Sequence, residues 1–424
     1  MKQALLLLLP VVVFMAATSG QATMHRVMVA NGGAYADPDD YVTLTAYHPE
    51  TGETETLTTI FSQSVQGMLI DGGYAWIAAQ DSLAKINLDN GTREAVIALS
   101  GVNKFAIWQD KLLVSRQYPV TENFLQVRDA QNLELITQFT EISDESWEIA
   151  IAADTAYVSV AGGWAATVGK LAVIDLETMS FVREINLGEQ AVGIGPSYVE
   201  NDRLIIVCKT PWGGTTGTLI DYHLPSASYS LHEIPHPVAE CAGIHQGKIY
   251  LQISGNIGTV YTDNFSVADE SLVQNPFSDL EITAMTIDSI HEQLYVNYSY
   301  WVAPDGTGRI YDLSGNETGS YQVGIAAEEV AVDYRDVTGM EAVQVFEKIQ
   351  VLPNPCMDLI QIRASGPSGS LQLVDVSGRQ RMCIENRNGK DQFTADVSGL
   401  PAGIYFILPE GSGAKFSSVK IIKN

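Results

Sequence analysis

Between residues 25 and 335 one pattern of four short strands recurs along the chain. The third strand and its following turn show it most plainly, as LTAYHPETGE, LAKINLDNGT, LQVRDAQNLE, LAVIDLETMS and GRIYDLSGNE. Each alternates apolar and polar residues and ends in an acidic, amide or glycine turn, the signature of a half-buried strand entering a hairpin. The first strands align on Ile70, Ile107, Ile151, Tyr198, Ile244, Ile287 and Val332, so each step is about 44 residues. Four strands in a period of that length predict a β-propeller. The 3.6-residue apolar period of a helical solenoid is absent.

The blade count closes at seven. Residues 25–60 (HRVMVANGG, YVTLTAY, TETLTTI) supply three strands and no innermost one. EEVAVDYRD, 328–336, is a first strand with nothing of the repeat after it. Together they predict one blade built from both ends of the domain, which removes the free edge of an open sheet. A misread weak repeat would make the count six or eight.

In such a fold the loops joining second to third strands share one face with the blade-to-blade loops. The long second-to-third loops read ANGGAYADPDD, SRQYPVTEN, AGGWAATVG, KTPWGGTTG and SYWVAPDGTG, in blades 1, 3, 4, 5 and 7. Each carries an aromatic: Tyr35, Tyr118, Trp164, Trp212, and Tyr300 with Trp301. Blades 2 and 6 have short versions, AAQDS and SGNIG. The blade-to-blade loops are acidic, with Asp144, Glu145 and Glu148 around Trp147, then Glu189, Glu240, Asp279, Glu281, Glu328 and Glu329. Aromatic plates beside carboxylates suit a large ligand with flat or apolar faces and polar edges, such as a sugar, a tetrapyrrole-like ring or an aromatic peptide. Single aromatics in such loops also serve simply to cover blade ends.

Several local motifs resolve into structure rather than chemistry. His232, Glu233 and His236 match HExxH, which binds zinc when a helix puts both histidines on one face. Pro235 lies inside this motif, and proline costs a helix interior ~3 kcal/mol. The repeat makes the segment a fourth strand instead, where residues four apart are separated by ~13 Å. Cys241 and His245, with His223 or His232, have no spacing that fixes a metal geometry. Asp37, Asp39 and Asp40 leave calcium open, although the DxDxDG spacing is missing. No Walker loop, GxSxG elbow or dinucleotide fingerprint occurs. The sequence therefore identifies no catalytic residue, no metal ligand set and no cofactor.

The formal charge is −26 and only 17% of residues are charged, so phosphate backbones and anionic lipid surfaces are disfavoured partners. The 46% hydrophobic content is enough for a sizeable core. Residues 1–22 predict a secretory signal peptide, with Lys2 ahead of an apolar run and Gly20 and Ala22 offering small residues for cleavage. No later stretch reaches the ~20 apolar residues of a transmembrane helix. In an exported chain the four cysteines form either two disulfides, Cys208–Cys241 and Cys356–Cys383, or four buried thiols.

From about Met340 the repeat stops. The remainder, 341–424, has strands bounded by Gly, Pro and Asn turns, as in a small antiparallel Ig-like β-sandwich. Its ordered motifs are Pro353-Asn354-Pro355 with Asp358, then LQLVDVSGR containing Gly378 and Arg379. DVSGLPAGIYFI follows, with Gly403 and Tyr405, and the chain closes on KIIKN from Lys420. In these the segment resembles the C-terminal sorting domain of the type IX secretion system of Bacteroidota. The resemblance implies recognition by outer-membrane machinery, removal of the domain, and release of the rest or its attachment to surface lipopolysaccharide.

The propeller is more loosely similar, through HRVMVANGG, YHPETGE and GMLIDGGYAWIAA, to YVTN-type surface propellers of the same phylum. Some of those bind cobalamin outside the cell. The sequence thus predicts an all-β chain: a signal peptide (1–22), a seven-bladed propeller (23–340) and a sorting domain (341–424). The expected function is non-catalytic capture of a bulky small molecule or glycan, a corrinoid by resemblance, through Tyr35, Tyr118, Trp147, Trp164, Trp212, Tyr300 and Trp301. A glycan-active enzyme would instead need two mouth carboxylates ~5.5 or ~6.5–9.5 Å apart. A protein-interaction scaffold would need a broad apolar patch.

Overall fold

A computed structural model describes residues 23–302, 304–335, 348–365, 370–375, 379–385, 392–409 and 419–424. The expected signal peptide lies outside these residues, as does the expected junction at 340. Two compact units result: Met24–Arg335 forms one, and the segment ending at Asn424 belongs to the other.

The first unit is a ring of seven four-stranded antiparallel sheets. Blade 2 runs Val65–Asp71, Tyr74–Ala79, Ser82–Asn87, Arg93–Ala98, and blade 3 Val102–Trp108, Lys111–Arg116, Leu125–Asp129, Leu135–Phe139. Blade 4 comprises Ser146–Ala152, Thr155–Val160, Gly169–Asp175, Ser180–Gly188, and blade 5 Ile194–Glu200, Arg203–Cys208, Gly217–His223, Ser228–Ile234. Blades 6 and 7 follow as Val238–His245, Lys248–Ile253, Asn256–Tyr261, Val267–Val273 and then Glu281–Asp288, Gln293–Ser299, Thr307–Asp312, Glu317–Gln322. Blade 1 takes its inner strand, Ala327–Arg335, from the far end of the unit and adds Thr23–Asn31, Val42–His48 and Glu53–Ile60. The seven repeat anchors all fall on the innermost strands, as the period requires.

Burial follows radial position. Second strands such as Tyr74–Ala79 and Arg203–Cys208 are buried almost throughout, because a neighbouring blade covers each face. Fourth strands such as Arg93–Ala98 are mostly exposed. The core is therefore a set of layers between blades; one joins Leu171 and Val173 of blade 4 to Leu204, Ile206 and Ile220 of blade 5.

Blade 1 has an ionic clasp between the two ends of the unit. Arg26, on its second strand, donates to Asp333 Oδ2 on its first strand at 3.3 Å and to the Leu88 carbonyl of blade 2 at 2.7 Å. Both side chains are at most 5% exposed. Arg335 adds bonds to Asp333 at 2.8 and 3.1 Å and reaches Asp89 of blade 2 at 3.0 Å.

The second unit is a sandwich of two sheets. One holds Lys348–Leu352, Leu359–Ser365 and Gln392–Asp396; the other holds Gln380–Glu385, Ser370–Asp375, Gly403–Pro409 and Val419–Lys423. Alternate residues from both sheets form its core, among them Val351, Ile360 and Ile362 against Leu371, Leu373, Tyr405 and Ile407.

Cys208, Cys241 and Cys356 are free thiols, so neither the Cys208–Cys241 pair nor the Cys356–Cys383 pair is joined. Cys208 ends a second strand and packs in the layer between blades 4 and 5, where burial pushes its thiol well up. Cys241 sits on the innermost strand of blade 6, facing the channel, with burial raising it to about 11. The two side chains serve different layers. In the sandwich Cys356 is in the core, whereas Cys383 is on an exposed position of its strand.

Candidate functional site

The innermost strands enter the channel with a bulge. Their pairing with second strands slips between Val65 and Gly67, Val102 and Phe105, Ser146 and Ile149, Ile194 and Ser197, Val238 and Cys241, and Ile282 and Ala284. A bulge re-aims side chains and increases local twist. Here it falls at the start of these six strands, beside the blade-to-blade loop. Two residues after Val65, Val102, Ser146, Ile194, Val238, Ile282 and Ala327 come Gly67, Lys104, Glu148, Pro196, Glu240, Ala284 and Glu329, one position per blade. All but Gly67 line a cavity of about 490 Å³. Gly67 is required for another reason: a Cβ there would collide with the Asn103 carbonyl of blade 3.

Around this ring the cavity adds Gln66 of blade 2 with Trp147, Trp301, Lys209, Glu281 and Glu328, so all seven blades contribute to its lining. Lys104 is ion-paired with Glu329. Lys209 bonds Glu240 at 2.6 Å and lies 4.9 Å from the centre of the Trp147 ring. Trp301 Nε1 donates to Glu328 at 2.8 Å. Burial pushes Glu328 up, and it pushes Glu329 up to about 7, against the opposing pull of Lys104 and with help from Glu148 and Glu240. Burial alone would lower Lys104, yet Glu329, Glu148 and Glu240 hold it above the ordinary lysine value, so it stays cationic.

The aromatics chosen from the loops divide into two groups. Trp147 and Trp301 line the cavity. Trp164 and Trp212 stand at the loop tips 91% and 90% exposed, and Tyr35 and Tyr118 are nearly as open. Tyr300 packs on Trp301 at 5.1 Å rather than on the cavity. The loops of blades 1 and 7 touch, since Tyr35 N donates to the Trp301 carbonyl at 3.3 Å. Of the acidic loop residues, Glu148, Glu240, Glu281, Glu328 and Glu329 reach the cavity, and Asp144, Glu145, Glu189 and Asp279 do not.

Lys104 and Lys209 were not among the residues the loops singled out. Lys104 had a signal, because it occupies the same repeat position as Glu148, Glu240 and Glu329. Lys209 had none. It follows a second strand, and the packing of blade 5 against blade 4 brings it over Trp147.

The other candidates are held in local structure. His232 is on the outermost strand of blade 5, stacked on Phe265 at 4.3 Å, while His236 faces Glu270. Asp37 and Asp40 accept bonds from the Asp39 and Ala34 amides of their own loop. Among the described residues no group of three or more His, Cys, Asp or Glu is arranged to hold a metal ion.

In the sandwich the sorting motifs meet across the chain. Asn354 donates to the Lys420 carbonyl at 2.7 Å and accepts from Ile422 N at 2.9 Å. The Cys356 amide donates to the Ile422 carbonyl and the Asn424 amide to that of Cys356. Val397 N reaches the Asp358 carbonyl, Arg379 N reaches Asp375, and Tyr405 bonds the Pro401 carbonyl at 2.8 Å. Gly403 opens the strand that pairs with the last one. Gly378 lies outside the described residues.

Residues 350–424 match the family described as secretion system C-terminal sorting domain. The chain is therefore a β-propeller protein exported by the type IX system across the outer membrane, to the cell surface or the medium. No helix among the described residues is long and apolar enough to cross a membrane. No curated protein matches the chain in sequence.

Among solved structures, a hypothetical selenium-binding protein from Sulfolobus tokodaii matches at TM-score 0.56 and 10% identity, over 74% of this chain and 94% of that one. A quinonprotein alcohol dehydrogenase-like protein from Bacteroides thetaiotaomicron matches at 0.54 and 11%, over 73% and 78%. The extracellular domain of a B. thetaiotaomicron protein described as a one-component system matches at 0.48 and 10%, over 95% of this chain; the chain spans 60% of that structure. At these identities the first two likenesses show the fold alone.

Proposed function

We propose that the exported propeller is a non-catalytic binding protein that captures a bulky small molecule or glycan at the mouth of its channel. The carrying observation is the exposure of Trp164 and Trp212, about nine-tenths open at loop tips on the face that also bears Tyr35 and Tyr118. An indole left in water forgoes roughly 1.5–3 kcal/mol of burial, which a bound ligand would recover. Rigid aromatics also supply contact area at low cost in conformational entropy. A corrinoid, whose flat macrocycle and amide rim suit such plates, is the leading ligand, followed by an oligosaccharide.

The test is a thermal-shift screen with corrinoids, tetrapyrroles, oligosaccharides and calcium. A ligand at 100 times its dissociation constant adds ~2.7 kcal/mol of stability. A hit abolished in Trp164→Ala/Trp212→Ala supports the reading. A hit unaffected by that pair would move the site off the loop tips.

One observation favours a second reading, a glycan-cleaving enzyme. Glu329, raised to about 7, has the protonation a general acid needs at neutral pH. Its ion pair with Lys104 argues for a structural part instead. Release of reducing sugar from glycans, lost in Glu329→Gln, would establish the enzyme.

A further inference from the structure

We propose that the ring at the channel mouth is a receptor site for a small ligand carrying protonated amines, seated between the Glu148 and Glu328 carboxylates and the Trp147 and Trp301 rings. This goes beyond the binding reading above, because its seat is the cavity and not the loop tips.

The ring and its neighbours hold the carboxylates Glu148, Glu240, Glu281, Glu328 and Glu329 but only two cations, Lys104 and Lys209. Each lysine is already matched to one carboxylate, Glu329 and Glu240 respectively. No ion pair joins Glu148, Glu281 or Glu328 to a cation among the described residues. The cavity lining is thus short of positive charge, with five carboxylates to two ammonium groups.

The protein itself shows which cation fits. The Lys209 ammonium sits against the Trp147 ring at 4.9 Å and on Glu240 at 2.6 Å, the aromatic-plus-carboxylate seat that binds organic ammonium groups. Trp301 and Glu328, joined at the indole edge by a 2.8 Å bond, bring a second ring and carboxylate to the cavity, with no cation on either among the described residues. The Ser197 hydroxyl oxygen lies buried beside the cavity with no hydrogen-bond partner. A volume of about 490 Å³ admits a ligand of drug-like size rather than a bare ion.

Acid should weaken the site. Glu329 faces Lys104, Glu148 and Glu240, beside Glu328. Protonating it leaves Lys104 uncompensated and adds a positive charge to the cavity, so amine affinity falls from pH 8 to pH 6.

The experiment is titration of the purified protein with 1,4-diaminobutane and spermidine, followed by tryptophan fluorescence and calorimetry. 1,4-Butanediol and calcium serve as comparisons. Expected are amine binding with no response to the diol, at least tenfold weaker binding in both Glu148→Gln and Glu328→Gln, and no change in Asp279→Asn, a loop carboxylate outside the cavity. Unfolding midpoints of the variants confirm that they fold. Equal binding of the diol, binding of calcium without amines, or amine binding indifferent to both glutamine variants would overturn the proposal. If a corrinoid or oligosaccharide binds through Trp164 and Trp212 while amines do not, the amine site falls and the binding reading stands. If nothing binds, both fall.

Discussion

The clasp of blade 1 carries a prediction that can be worked through in numbers. Arg26 and Asp333 are 307 residues apart and at most 5% exposed. Removing one partner of a buried ion pair leaves the other charge in a low-dielectric site, which costs about 3–5 kcal/mol. Arg26→Met leaves Asp333 with Arg335, so its effect should sit at the lower end. Asp333→Leu strands Arg26, whose Nε already lacks a partner, and should reach the upper end. The unfolding entropy is ~2.1 cal/mol/K per residue, or ~0.65 kcal/mol/K over roughly 310 residues, so these losses lower the midpoint by about 5–8 °C. The double variant should lose less than the two single losses added, because Asp333→Leu no longer strands a buried guanidinium once Arg26 is gone. Differential scanning calorimetry of all four proteins measures this. Strictly additive losses, or single losses under about 1 kcal/mol, would refute the clasp as what locks the ring.

Further outcomes follow from the same structure. Glu329 is raised from an ordinary value of 4.5 to about 7, so the folded state holds a proton that the unfolded chain has released. That contribution is fully present below pH 4.5 and is lost as pH rises through 7, amounting to up to about 3 kcal/mol. Urea midpoints at pH 5.5 and 8 should show this fall, and Glu329→Gln should flatten it. Trp164→Ala/Trp212→Ala should leave urea stability within about 0.5 kcal/mol, because both side chains lie in solvent. In the sandwich, Asn354→Ala removes two bonds to the last strand and should cost about 1–2 kcal/mol, with faster hydrogen exchange at Ile422.

Much of this architecture is written locally. Alternation and turn residues mark each strand, and one polypeptide period marks each blade, because a strand's pattern depends on residues two apart and a hairpin on those that join it. The split blade was legible for the same reason: a surplus first strand at one end answers a missing one at the other. The exposed loop aromatics were visible too, as large side chains among glycines.

The mouth of the channel was not legible in this way. Its ring takes one residue from each blade, and no local rule links Lys104 to Glu329 across 225 residues. Bulges decide which side chain turns inward, and they depend on pairing with the next strand. Trp147 and Trp164 look alike in sequence, yet one lines the cavity and the other stands in solvent. The cysteines give the same lesson, since Cys208 and Cys241 are close in the chain but face different layers. Spacing along the chain sets strands, blades and closure; burial, charge compensation and shared cavities arise only when distant repeats are brought around the ring.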